Sequence, residues 1–296
     1  MRRHERDTGK MPDTVVITGV STGIGAAAAR IAAARGAHVF GSVRRPEAAA
    51  RLQADLGGKF TPLVFDVRDE AAVAAAAALV REKLGGKRLG GLVNNAGIAV
   101  AGPMSLQPIA EFREQMEVNV IGPLIVTQAF VPLLGADPAL TGSPGRIVNI
   151  SSVAGKFSAP FLGGYAASKH ALEGWTESLR RELMLFGIDV LLVAPGAVAT
   201  PIWDKAEDLP VETYAGTPFI EPMRRFREFF IKSGRAGYPP EKVGEAIWTA
   251  LTAGAPAVRT PVVINSFANW TVPRLLPRRT LDRIIAGRVG LKPRHS

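Results

Sequence analysis

The sequence predicts an α/β fold, a single doubly wound parallel sheet of about seven strands flanked by helices. Three observations predict it. Short β-branched runs alternate with helical stretches, joined by short connections, from Thr14 to Ile264. The first such run leads straight into a glycine-rich turn and an alanine-rich helix. Each cluster of unusual residues falls at the C-terminal end of a strand or on the helix beside it, the edge where open α/β sheets bind ligands.

The elements follow in order. Thr14 to Thr18 is a short buried strand. The turn Gly19-Val20-Ser21-Thr22-Gly23-Ile24-Gly25 opens a helix running to about Arg35. Glycines there let backbone amides approach a pyrophosphate, and a helix N-terminus offers partial positive charge, so strand, turn and helix together form a Rossmann-type dinucleotide site. A second strand, Ala37 to Val43, ends in Arg44-Arg45-Pro46, and a third, Phe60 to Phe65, ends in Asp66-Val67. A helix at Asp69 to Leu84 precedes a fourth strand, Gly91 to Val93, which ends in Asn94-Asn95-Ala96-Gly97. A long helix from about Pro108 to Leu134, bent at Pro123, contains Asn119. The fifth strand, Arg146 to Ile150, ends in Ser151-Ser152, and a helix bearing Tyr165 and Lys169 follows. The sixth strand, Asp189 to Val193, leads into Pro195-Gly196-Ala197-Val198-Ala199-Thr200. A helix at Pro240 to Thr252 and a strand at Pro261 to Ile264 complete the pattern.

Composition narrows the function classes. The 296 residues hold no cysteine, which excludes disulfides, thiolate nucleophiles and cysteine metal sites. Four scattered histidines (His4, His38, His170 and His295) show no ligand spacing, and no metal site is expected. The net charge of +10 is uneven: from Arg274 onward seven basic residues stand against one acid, Asp282. The charge belongs largely to the tail, which argues against a nucleic-acid partner for the fold. Residues 1–12 read as a disordered lead-in without the apolar run of a signal peptide, and Met11 is an alternative start. The most apolar stretch, Val118 to Leu134, carries Asn119, Gln128 and two prolines and reads as a core helix rather than a membrane span. A cytoplasmic location is expected.

Two features carry chemistry. Tyr165 and Lys169 lie four residues apart, on one helical face. An ammonium near a phenol favours the phenolate and draws the tyrosine pKa down from about 10. Such a pair suits a general acid/base that moves a proton on and off an alcohol oxygen. At the end of the second strand, where an acid would bind a ribose 2′-hydroxyl, stand Val43 and two arginines; Arg44 is read as a ligand for a 2′-phosphate, favouring NADP over NAD.

Together these residues carry a signature: Thr18-Gly19-x-x-x-Gly23-x-Gly25, Asn94-Asn95-Ala96-Gly97, Asn119, Ser152, Tyr165-x-x-x-Lys169 and Pro195-Gly196, in that order over Asp13 to Thr200. The chain resembles the short-chain dehydrogenase/reductase family in its single-domain form. The resemblance implies an enzyme in which Asn119, Ser152, Tyr165 and Lys169 form the catalytic tetrad. Tyr165 would be the acid/base, and Lys169 would lower its pKa and hold the nicotinamide ribose. Ser152, with Ser151 as the rival, would hydrogen-bond the reacting oxygen. Asn119 would hold a water linking Lys169 to solvent. Gly19, Ser21, Thr22, Gly23, Ile24, Gly25 and Arg44 would bind the cofactor, with Asp66 and Val67 at the adenine. Asn95, Ala96 and Gly97 would line the cofactor, and Pro195, Gly196, Val198 and Thr200 would set the nicotinamide. The family often has a basic residue where Thr22 stands, so Arg44 carries the argument for NADP. His38 and His170 read as structural or exposed. The resemblance also implies a homodimer or homotetramer built through Pro108–Leu134 and Gly163–Phe186.

Residues 13–268 form the expected catalytic domain, with 201–239 as a substrate lid and 269–296 as a basic amphipathic extension. From Phe219 to Lys232 apolar residues recur at helical spacing, the pattern of a helix covering the active site. With Met104, Phe157 and Phe161 nearby in sequence patterning, this favours a lipophilic alcohol or ketone of steroid, retinoid or fatty type. The tail, Trp270 to Leu291, either lies on a membrane surface or packs on protein; its shortness and Arg288 favour packing. A 3-oxoacyl-thioester reductase and a non-catalytic NADP-binding sensor or scaffold are the alternative functions.

Overall fold

The computed structural model describes residues 11–200 and 211–292. Most of the lead-in and the first part of the expected lid segment, 201–210, lie outside the described residues. The described chain runs β1 (Thr14–Ile17), α1 (Gly23–Ala34), β2 (His38–Val43), α2 (Pro46–Leu56), β3 (Phe60–Val64), α3 (Glu70–Leu84), β4 (Gly91–Asn94), α4 (Ile109–Met116), α5 (Gly122–Val131), β5 (Arg146–Ile150), α6 (Gly163–Glu182), β6 (Asp189–Pro195), α7 (Ile220–Arg235), α8 (Pro240–Thr252), β7 (Arg259–Val262) and α9 (Arg278–Val289). The seven strands form one parallel sheet in the order β3-β2-β1-β4-β5-β6-β7. The order reverses between β1 and β4, so the crossovers leave to opposite sides there and a crevice opens above those two strand ends.

The sheet separates two apolar layers. One face buries Val15, Ile17, Val39, Val148 and Leu191 against α1 and α8. The other buries Val16, Leu92 and Ile147 against α3 and against Val126 and Phe130 of α5. Alternation along β1, with Val15 on one side and Val16 on the other, is the period of a strand covered on both faces. The alanines of α1 let that helix lie close to its neighbour: at Gly244 of α8 a β-carbon would come within 3.2 Å of the Ala28 backbone.

Several boundaries differ from the sequence reading. β7 spans Arg259–Val262 rather than Pro261 to Ile264, because its register is set by β6, whose last paired residue, Pro195, meets Val262. Helix α2 went unanticipated; Pro46 and Glu47 in its first turn are ordinary helix-start residues, overshadowed by the cluster of charges before them. At the point of the long helix where a bend at Pro123 is expected, the structure has a π turn over Glu117–Ile121 that carries Asn119. Proline at 123 lacks the N–H that a regular ladder would use, and a wider turn accommodates the loss. The helix 109–136 has the length and apolarity of a membrane span, yet 61% of its most apolar window is buried within the fold.

The tail packs on protein in this structure. Val289 of α9 joins Met223 and Phe226 of α7 in a third apolar cluster, together with Phe161, Leu162 and Tyr214. The basic face of α9 stays exposed, with Arg278, Arg279, Arg283 and Arg288 at the surface.

Phe130 is fully buried at the centre of the second layer. Replacing it with alanine is expected to cost about 3–5 kcal/mol of stability, to be measured as the change in urea-unfolding free energy.

Candidate active site

The crevice is built first from backbone. Gly19 adopts φ 70° and Gly23 φ 59°, left-handed conformations that a side chain disfavours. The turn is tied across to β4. The Thr18 hydroxyl accepts hydrogen bonds from the backbone N–H groups of Asn95 (2.9 Å) and Ala96 (3.0 Å), and the Asn95 side chain donates to the carbonyls of Thr18 (2.9 Å) and Gly19 (3.1 Å). The Ser42 hydroxyl accepts from the Gly19 N–H at 3.0 Å, adding a tie to β2. Asn95 therefore braces the turn, and its amide nitrogen is spent on protein carbonyls.

These residues fit a dinucleotide pyrophosphate. Helix α1 has no acid in its first turn, and its N-cap residue, Thr22, makes no side-chain capping bond, so its leading N–H groups remain open to an anion. A β-carbon at Gly19 would lie 3.0 Å from the Ala96 Cα, and one at Gly25 would collide with the Gly19 carbonyl; only glycine permits the cradle. A β-carbon at Gly23 would sit 3.3 Å from Thr200 Cγ2, which places the Pro195–Thr200 loop at the same crevice. That loop is fixed from below: the Gly196 N–H donates to the Val262 carbonyl, and Ala197 and Ala199 pair with Tyr238. Ser21 and Ile24 stand in or beside the turn, Ser21 exposed and Ile24 packed against the first apolar layer.

The end of the crevice above β2 and β3 is more polar. Arg44, directly after β2, is exposed and has no ion-pair partner among the described residues. Asp66 is held by Arg68, whose guanidinium binds it through two atoms at 2.9 and 2.7 Å and whose N–H adds a third bond. That pairing, with a contribution from Arg44, keeps the Asp66 carboxyl below its ordinary range. Val67 is buried, and a β-carbon at Gly122 would press on it.

Beyond β5, the sequence brings four side chains together. Tyr165 and Lys169 are one turn apart on α6, and the Lys169 Nζ lies 5.8 Å from the Tyr165 ring centroid. The Ser152 side chain faces the Tyr165 phenol closely enough to lower its pKa, while its hydroxyl donates to the Pro195 carbonyl at 3.4 Å. Ser152 Oγ also accepts from the Ala154 N–H at 3.1 Å. Ser151, the rival, is buried with its hydroxyl committed to Glu173 at 2.7 Å, so Ser152 is the serine that reaches the tyrosine. Asn119, fully buried, exchanges two 2.8 Å hydrogen bonds with the backbone of Ile98 and donates to Ser168 at 3.0 Å. A β-carbon at Gly97 would lie 3.1 Å from Asn119 Oδ1 and 3.7 Å from Lys169 Nζ, so Gly97 leaves the opening between them.

One expectation is corrected in sign. Lys169 was expected to draw the Tyr165 pKa down; burial pushes the phenol above its ordinary value, with the Ser152 bond opposing. The ammonium is turned to the Ile150 carbonyl, 2.8 Å away, and burial pulls it down to about 8, against the field of Glu173. In this arrangement both groups keep their protons near neutrality, the state of a proton donor. The two histidines are structural: His38 bonds the Thr61 hydroxyl at 2.8 Å, and His170, exposed, bonds the Ala166 carbonyl at 2.8 Å.

Comparison with known proteins identifies the scaffold. The short chain dehydrogenase family model matches residues 13–209. The chain belongs to this family. An NADPH-dependent 3-dehydrocapnine reductase from Ornithobacterium rhinotracheale is 39% identical over 269 residues, spanning 91% of this chain and 94% of that protein. Human retinol dehydrogenase 16 is 35% identical over 72% of this chain and 69% of its own length. Among solved structures, a short-chain dehydrogenase from Streptomyces avermitilis superposes with a TM-score of 0.73 at 29% identity, covering 95% of this chain and 98% of its own. The protein is therefore an oxidoreductase of the short-chain dehydrogenase family, whose fold binds a nicotinamide dinucleotide.

Substituting Gly19 with alanine forces a left-handed residue against Ala96. A loss of roughly 1–2 kcal/mol from the backbone conformation alone is expected, read as a lowered thermal midpoint.

Proposed function

We propose that the protein is an NADP(H)-preferring oxidoreductase that interconverts a lipophilic secondary alcohol and its ketone, of steroid, retinoid or fatty type, with Tyr165 as general acid/base. The observation that carries the reading is the Tyr165 phenol, beside Ser152 and one turn from Lys169, next to a glycine cradle that fits a dinucleotide.

The nicotinamide cofactor, when bound, supplies or accepts the hydride. The rest is the work of the chain. In reduction, Tyr165 donates its proton to the carbonyl oxygen, while the Ser152 hydroxyl hydrogen-bonds that oxygen and orients it. Lys169, protonated below about pH 8, stabilises the phenolate left behind and holds the ribose through its ammonium. Both Nδ2 donors of Asn119 are used on Ile98 and Ser168, and its Oδ1 accepts from Ile98, so a relay water toward Lys169 would bind the remaining lone pair of Oδ1 or the main chain of its π turn. Asn95 acts as a brace for the cradle, and Ala96 and Gly97 line it. Thr200 and its loop, with Pro195, Gly196 and Val198, border the nicotinamide end.

Support for NADP comes from exposed Arg44 at the end of β2 and from the NADPH dependence named for one relative. Support for a lipophilic substrate comes from the lid. Phe161 lies four residues before Tyr165 and packs edge-on against Phe219 and Phe226 of the lid, with ring centroids 6.3 and 5.5 Å away. Exposed Ile109 and Ile121 on the long helix, and Met184 and Leu185 after α6, support a homodimer or homotetramer through those helices.

Two experiments test the reading. Turnover of steroid, retinoid and acyl-thioester carbonyls is measured with NADPH and with NADH. NADPH is expected to be preferred, and Arg44→Ala to reduce that preference by roughly 10- to 100-fold, the scale of a charge-assisted bond. Equal use of both cofactors, or a silent Arg44→Ala, removes the 2′-phosphate assignment. Tyr165→Phe is expected to lower kcat by about 10²- to 10⁴-fold while NADPH binding, followed by fluorescence titration, stays close to wild type. Retained turnover would exclude Tyr165 as the acid/base.

A further inference from the structure

Behind the tetrad lies a buried ionic cluster that none of the roles above uses. Glu173 sits one turn beyond Lys169 on α6, with its side chain 3% exposed. Its carboxylate binds the Arg259 guanidinium of β7 through Nε at 3.1 Å and Nη2 at 2.8 Å, Lys156 at 3.1 Å and the Ser151 hydroxyl at 2.7 Å. The same Arg259 Nη2 donates to the Ser152 carbonyl at 3.2 Å. A β-carbon at Gly155 would collide with Glu173 and lie 2.7 Å from Ser151 Oγ, so the turn after Ser152 is pressed onto the carboxylate. From outside, Trp270 covers the cluster: Arg259 stacks over its ring at 4.4 Å and Phe157 meets it edge-on at 5.4 Å.

We propose that Glu173 and Arg259 are positioning residues, a buried ion pair that clamps the Ser152 loop to the catalytic helix and supplies the negative charge that keeps Lys169 protonated. The pair acts through two routes. Arg259 fixes the main chain of Ser152, so the hydroxyl facing Tyr165 cannot rotate away with its loop. Glu173 offsets a crowd of cations. The charged and titratable groups around Lys169 are Tyr165 and Glu173 on its own helix, Lys156 on the serine loop and Arg259 on β7. Without Glu173, the buried Lys169, the mostly buried Arg259 and the exposed Lys156 would gather here with no anion between them. Trp270 ties this clamp to the C-terminal segment, so the part of the chain that follows the sheet reaches the catalytic serine through one guanidinium.

The inference rests on the roles proposed for Ser152 and Lys169, and its test reads Lys169 without turnover. Lysine labelled with ¹³C at Cε is incorporated, the Lys169 signal is assigned by its absence in Lys169→Arg, and its shift is followed against pH in the full-length protein. Glu173→Gln is expected to lower the Lys169 midpoint by about one pH unit, because a neighbouring anion that favours the charged form has gone. An unchanged midpoint overturns the proposal. Where Glu173→Gln does not fold, Lys156→Met decides: loss of an exposed cation that neutralises Glu173 raises the midpoint if the charge route holds, and leaves or lowers it if not. For the serine route, Arg259→Lys keeps the charge and removes the fork. It is expected to reduce kcat roughly ten- to hundredfold, the scale of a displaced catalytic group, with KM for NADPH unchanged. An unaltered kcat, or a loss confined to KM, overturns that half. Absence of turnover in the wild type would instead remove the functional reading and leave the Lys169 titration as the deciding measurement.

Discussion

The tie between the ends of β1 and β4 is the constraint on which the site depends. At a switch point the crossovers diverge and leave the two strand ends without helical cover. The Thr18 hydroxyl and the Asn95 amide close that gap with four hydrogen bonds. Without them the glycine turn would lack a fixed height above the sheet, and Gly19 and Gly23 would have no reason to keep left-handed backbone. The cradle is therefore a rigid product of sheet topology, and the residues that shape it face one another rather than a ligand.

A second polar layer continues this logic through the sheet. Asn94 donates to Thr127 (2.9 Å) and to Asn149 (2.8 Å), and Asn149 donates to Thr176 (2.9 Å). These buried side chains link α5, β4, β5 and α6, the elements on or beside which Asn119, Ser152, Tyr165 and Lys169 lie. The Asn94 amide spends both donors here while its Oδ1 has no partner among the described residues; the bonded amides specify one register, because a shift of either strand would leave their donors unpaired in an apolar layer. Asn119, Ser152 and the Tyr165 helix thus inherit their spacing from a chain of amides beneath them.

Much of this was legible in the sequence because it is local. Strand, glycine turn and helix are contiguous, Tyr165 and Lys169 share a helical face by spacing alone, and the asparagines end a recognisable strand. What could not be read depends on partners far apart in the chain. Glu173 and Arg259 are separated by 86 residues, and each in isolation reads as a surface charge. The commitment of Asn95 to carbonyls of the turn is equally hidden, since an asparagine after a strand suits a ligand as well as a brace. The sign of the Tyr165 shift was missed because spacing gives proximity to Lys169 but not the depth of burial, nor the carbonyl that claims the ammonium. Helix α7 was visible as an apolar periodicity, whereas the backbone of Phe161 at φ 66°, whose ring packs on Phe219 and Phe226, has no sequence signal.

The two strands at the margins of the sheet, β3 and β7, each contain a proline, Pro62 and Pro261. The hydrogen bonds decide which way they face. Phe65 donates inward to Val43, and the Val258 and Val262 carbonyls accept from β6, so by the two-residue alternation of a parallel strand Pro62 and Pro261 point to the open margins. Each margin thereby lacks a donor in its outward row. A strand from another chain would find no continuous ladder to join, which protects a sheet with open ends against uncontrolled growth in a crowded solution.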